Sequence, residues 1–142
     1  MALATLAQIR AGLNTRLATI TGLQTYAYRP GVVTAPCAFV NGVRDVEYHG
    51  AMTTGLVTWP MSVLVLVSAA PPSVEAQADL DEFISPTGTK SVKAAIEASR
   101  PQTLSSVVAD CVVESCSGEQ IIVLEDGAYF GAEFVVRVWA GA

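Results

Sequence analysis

Leu3, Leu6, Ile9, Leu13, Leu17 and Ile20 recur at steps of three or four, and at 100° per residue that spacing confines all six to a helical arc roughly 120° wide. The pattern predicts an amphipathic helix ending near Gly22, with Gln8, Arg10, Asn14, Thr15 and Arg16 mostly off the apolar arc. Residues 24–28 then alternate, with Tyr26 and Tyr28 on one face, and Arg29-Pro30-Gly31 is a turn signal that closes a short strand. Pro36 opens a second strand over 37–43. From 44 to 56 the chain turns polar without a sustained period, which predicts a long exposed loop or a protruding hairpin. The stretch 57–67 begins as strict alternation and becomes continuously apolar at Val63. Such a pattern predicts a long strand, half exposed at its start and covered on both faces at its end. Pro60 lacks an amide hydrogen, so its end of the strand belongs at a sheet edge or beside a bulge.

Pro71-Pro72-Ser73 breaks that strand and opens a helix, with Ser73 as N-cap and Glu75 in the first turn, where the helix dipole favours an anion. Ala76, Leu80, Phe83 and Ile84 form its apolar stripe, and Glu75, Asp79 and Glu82 an acidic one. A short third helix follows Ser91, with Val92, Ala95 and Ile96 inward, and Pro101 keeps it from running far past Arg100. The remainder reads as an antiparallel meander. Val107, Ala109, Cys111 and Val113 alternate with Asp110 and Glu114, Ser117-Gly118 turns the chain, 120–124 returns, and Asp126-Gly127 turns it again. Phe134, Val136 and Val138 alternate with Glu133, Val135, Arg137 and Trp139 in a last strand. The predicted fold is a single α+β domain over residues 1–142, a mostly antiparallel sheet with the N-terminal helix and two further helices packed on one face.

Composition narrows the function classes. Of 142 residues, 51% are hydrophobic and 15% charged, and the eight Lys and Arg are scattered in a chain of net charge −5, so there is no basic patch with which to grip phosphates. Residues 50–74 carry no charge and are long enough to cross a bilayer. Pro60, Pro71, Pro72 and the β-branched centre of that stretch instead predict a buried strand followed by a turn, and no membrane partner. The N-terminus lacks a cationic region before its apolar stretch, which argues against a secretory signal. Cys37, Cys111 and Cys116 are odd in number with no CxxC, so neither a disulfide framework nor a structural zinc is predicted. A domain this apolar and this sparingly charged has less polar surface than a lone monomer usually shows, which predicts burial against identical copies.

Candidate chemistry is sparse. His49, the single histidine, could serve as a base with Cys37 as nucleophile; the plainer reading is an exposed loop histidine beside Glu47 and Tyr48. Gly88-Thr89-Lys90-Ser91 resembles the tail of a phosphate-binding loop, but Phe83 stands where that motif needs a glycine, and a helix replaces the preceding strand. Glu75, Asp79 and Glu82 read as a solvated helix face. Cys111 and Cys116, five apart in a strand, are expected on opposite faces, as apolar packers without a shared metal. A small-molecule or peptide-binding α+β module stays open as an alternative.

Taken in order, the elements resemble a tail terminator protein of the long-tailed, siphophage-type bacteriophages. The resemblance runs over nearly the whole chain: the helix 6–20, then Gly22-Leu23-Gln24-Thr25-Tyr26-Ala27-Tyr28-Arg29-Pro30, Pro36-Cys37-Ala38-Phe39-Val40, the strand from Trp59 to Val67, the helix 76–84, Gly88-Thr89-Lys90-Ser91-Val92-Lys93-Ala94-Ala95-Ile96, and a three-stranded close. The Tyr-Pro turn after the first helix and the Gly-x-x-Ser-Val start of the short helix are its most distinctive parts. Other neck or head-completion proteins share some of this pattern. The resemblance implies a structural virion protein of the tail and neck, assembled in the host cytoplasm, with no enzymatic activity, catalytic residue or cofactor. It implies a ring, typically of six copies, that caps the tail tube protein, stops polymerisation and meets the head-tail connector or stopper protein. DNA would pass through the lumen without specific binding, and a net charge of −5 suits that passage because an anionic wall repels the duplex. Two exposed features are candidate contacts. One is the excursion 44–55, where Arg44, Asp45, Glu47 and His49 offer polar groups and Tyr48 an aromatic anchor. The other is the turn carrying Glu125, Asp126 and Tyr129.

Overall fold

The computed structural model describes residues 5–20, 22–31, 34, 36–43, 56–69, 73–98, 104, 108, 110–125 and 127–141. The apolar spacing of the N-terminal segment forms helix α1 (Leu6–Leu17), started by a reciprocal cap. The Thr5 hydroxyl accepts from the Gln8 N–H at 3.2 Å and the Gln8 side-chain oxygen accepts from the Thr5 N–H at 2.9 Å. The helix stops one turn earlier than its apolar period suggests. Ala18 is the C-cap, and β-branched Thr19 and Ile20 lead to Gly22, whose φ of +85° a residue with a side chain adopts only under strain. Ile9, Leu13, Leu17 and Ile20 are buried as expected, whereas Leu6 is exposed at the helix start.

Four strands follow the predicted order with adjusted ends: β1 (Gln24–Tyr26), β2 (Cys37–Val43), β3 (Leu56–Ala69) and, after the helices, β4 (Asp110–Cys116). Helix α2 (Val74–Ile84) starts at Ser73 and α3 (Val92–Glu97) at Ser91, each hydroxyl accepting a backbone N–H three residues on at 3.1 Å. Strands β5 (Gln120–Leu124) and β6 (Gly127–Gly141) complete the chain. The result is an α+β fold whose sheet runs β1-β2-β3-β6-β4, with β5 also on β6. Among the described residues β1 and β2 pair in parallel and the other strand pairs are antiparallel.

β3 and β6 form the spine, paired from Leu56↔Gly141 to Ala69↔Tyr129. At Met61 the ladder between β3 and β2 ends, so Pro60 keeps only its β6 neighbour, Arg137, among the described residues. That one-sided position, next to the β2 irregularity around Asn41, is where a residue without an N–H costs least. Gly131 lies against the β3 backbone, where a Cβ would collide with the Val65 carbonyl oxygen.

The continuous apolar run is covered on both faces, as its pattern predicts. Met61, Val63, Val65 and Val67 join the helix-side core with Ile9, Leu13, Leu17, Leu80, Phe83, Val92, Ile96, Phe130, Phe134, Val136 and Val138. Leu64 and Leu66 face the other way and form a second cluster with Cys37 and Phe39, against which Tyr26, Ile122, Leu124 and Tyr129 pack. Side-chain bonds tie the helices down. Arg16 Nε donates to the Ala95 carbonyl at 3.0 Å, joining α1 to α3. Glu97 accepts from Lys93 Nζ at 2.6 Å and from the Val113 N–H at 2.8 Å, joining α3 to β4.

Two expectations need correction. Ser117-Gly118 does not reverse the chain: β4 and β5 both pair antiparallel to β6, one beyond the other along the same margin. Ser117 bridges the junction, its N–H donating to the Glu133 carbonyl at 2.9 Å and its hydroxyl accepting from the Glu133 N–H at 3.1 Å. The expected meander is therefore one long hairpin whose outer arm is kinked at Gly118. Nor do Cys111 and Cys116 face apart. A bulge at Glu114 inserts one residue into β4, so a five-residue step returns to the same face, and both thiols join the helix-side core. Burial pushes the Cys116 thiol pKa up, partly offset by a bond from the Gly118 N–H.

Candidate functional site

One face of β5 leaves large apolar side chains exposed. A strand points alternate side chains to opposite faces, and Ile122 and Leu124 use theirs to pack on the second core cluster. The other set, Ile121 and Val123, is left 50% and 75% exposed. Glu119 and Glu125 continue that row at either end and are exposed, giving a stripe with two apolar residues between two carboxylates. β5 has a single neighbour, β6, so its outer edge is unpaired among the described residues.

Helix α2 adds to the acidity of this margin. The Glu119 carboxyl meets Asp81, and its pKa is raised, first by the hydrogen bond with Asp81, then by desolvation and by the Asp81 charge. Two carboxyls side by side repel when both are ionised, which makes this corner acidic in character. Glu114, at the β4 bulge, is different: Arg137 Nε donates to it at 2.6 Å and holds its pKa below the usual carboxylate range.

The opposite margin is built around Arg10. Its Nη1 donates to the carbonyls of Ala27 at 3.0 Å and Val40 at 2.8 Å, and its guanidinium lies 4.4 Å from the centre of the Tyr28 ring. The next residue, Arg29, donates to Asn41 Oδ1 at 3.1 Å, so the segment after β1 continues alongside β2. Tyr28 stays 57% exposed, and Leu6 stands one turn before Arg10 on α1. No carboxylate among the described residues pairs with either arginine.

Of the sequence-predicted contacts, Arg44, Asp45, Glu47, Tyr48 and His49 lie outside the described residues, as does Asp126. Glu125 is exposed at the hairpin end. The turn is tighter than expected, because β6 begins at Gly127, and Tyr129 sits within that strand, half-buried against the second core cluster. Cys37 is fully buried on that same cluster. Lys90, of the loop resembling a phosphate site, pairs with Glu82 at 3.8 Å, and Ser91 caps α3 while donating to the Ser85 carbonyl. Ile121 and Val123 were missed as surface residues because 120–124 reads as an inner strand. The signal was there in the carboxylates two residues before Ile121 and two after Val123. Compared with models of known protein families and with curated proteins, the chain matches none.

Proposed function

We propose that the chain is a structural subunit of a phage tail, a terminator that assembles into a ring on the end of the tail tube, halts its polymerisation and offers a surface to the head connector. The observation that carries this reading is the exposed stripe of Glu119, Ile121, Val123 and Glu125 on a strand edge that is unpaired among the described residues. Such a stripe is a contact surface in waiting, and the chain's order of elements supports the ring as its use. The net charge of −5 fits a lumen through which DNA slides without being held.

The test is the length distribution of tubes formed by the cognate tail tube protein in the presence and absence of this chain. Addition of the chain early in polymerisation is expected to shorten the tubes in proportion to the amount added. An unchanged length distribution at molar excess contradicts the reading.

A further inference from the structure

The two margins of the sheet differ in sign. Residues 5–43, which form α1, β1 and β2, contain no Asp or Glu, and Arg10 and Arg29 stand at the β1 side; 110–125, which form β4 and β5, contain no Lys or Arg, and with Glu114 paired to Arg137 the charge of the β5 side rests on Glu119 and Glu125. The sheet order places β1 at one side and β4 with β5 at the other, so these charges of opposite sign stand at opposite margins. Each margin also exposes apolar side chains: Leu6 and Tyr28 on the basic one, Ile121 and Val123 on the acidic one.

Resting on the ring reading above, we propose that copies of the chain join head to tail, the β5 stripe of one seated on the Leu6, Tyr28 and Arg29 margin of the next. Charge decides the partner. An isologous contact of β5 on β5 sets Glu119 and Glu125 against their own copies, and one of the basic margin on itself sets arginine against arginine. The heterologous contact alone opposes unlike charges while covering apolar surface on both sides. It also uses surfaces at opposite margins, so each copy offers both halves, and the chain of contacts either closes into a ring or continues as a filament.

Arg29→Glu sets a carboxylate against the Glu119 and Glu125 stripe, and the double variant Glu119→Lys with Glu125→Lys sets ammonium groups against Arg29. Sedimentation velocity over a concentration series should show self-association of the natural chain weakened roughly tenfold or more in each variant. Because each variant supplies the half the other has lost, an equimolar mixture should recover association, in assemblies with an even number of copies. Recovery also shows that both variants are folded. Variants that associate as the natural chain does, a mixture that stays dissociated, or a natural chain that is monomeric throughout would overturn the proposal. Tube shortening by variants that no longer associate would overturn the edge-to-edge contact and leave the terminator reading standing. Association by these margins without tube shortening would do the reverse.

Discussion

Arg10 shows how one side chain can fix an element's position. It lies just off the apolar arc of α1, so in sequence it reads as an ordinary solvent-facing residue. In the fold its Nη1 donates to the carbonyls of Ala27 and Val40 at once while the flat guanidinium lies over the Tyr28 ring, a contact an ammonium does not reproduce. Arg10→Ala is expected to cost about 2 kcal/mol, the scale of losing charged hydrogen bonds to part-buried acceptors, and Arg10→Lys to recover only part of it; chemical denaturation measures both. Glu119 gives a pH-dependent expectation. Its pKa is raised in the folded chain by Asp81, so the contact is fully made below the ordinary carboxylate range and is lost as pH rises through the raised value. Glu119→Gln keeps a donor toward Asp81 at every pH. The variant should therefore melt at a higher temperature than the natural chain at about pH 7 and at the same temperature at about pH 4. Equal melting at the higher pH would mean that the Asp81 contact carries no strain.

At the scale of elements, the strongest local signals were legible. The bounds of β2 follow from Pro36 and the apolar run, Ser73 and Ser91 cap the helices they were expected to cap, and the apolar run from Val63 lies within the part of β3 covered on both faces, which begins two residues earlier at Met61. What failed depends on partners distant in sequence. The parallel pairing of β1 with β2 is a choice of neighbour, not of conformation. The extra residue at Glu114 that returns Cys116 to the face of Cys111 has no local signature, and Ser117-Gly118 reads as a turn although Glu133 holds it in line. The candidate stripe was half legible: Glu125 was read as a contact, and the exposure of Ile121 and Val123 appears only once β5 is known to be a margin. The spine carries its own expectation. Because a Cβ on Gly131 would collide with the Val65 carbonyl, Gly131→Ala should force β3 and β6 apart and cost about 1–3 kcal/mol or more, read as a lower denaturation midpoint. A substitution without loss of stability would show that the two strands are less tightly apposed.

Among the described residues, a buried core on each face of the sheet coexists with two margins that a lone copy leaves exposed. One core lies beneath the helices and another on the reverse of the sheet, while the margins are opposite in charge and each carries apolar side chains. In the ring proposed above, each subunit uses both margins, one toward each neighbour. The most direct measurement is electron microscopy of tail tubes polymerised with the purified chain. A closed ring of identical copies seated on the tube end, coaxial with its lumen, is the expected result. Bare tube ends with the chain left in solution as monomers would contradict it.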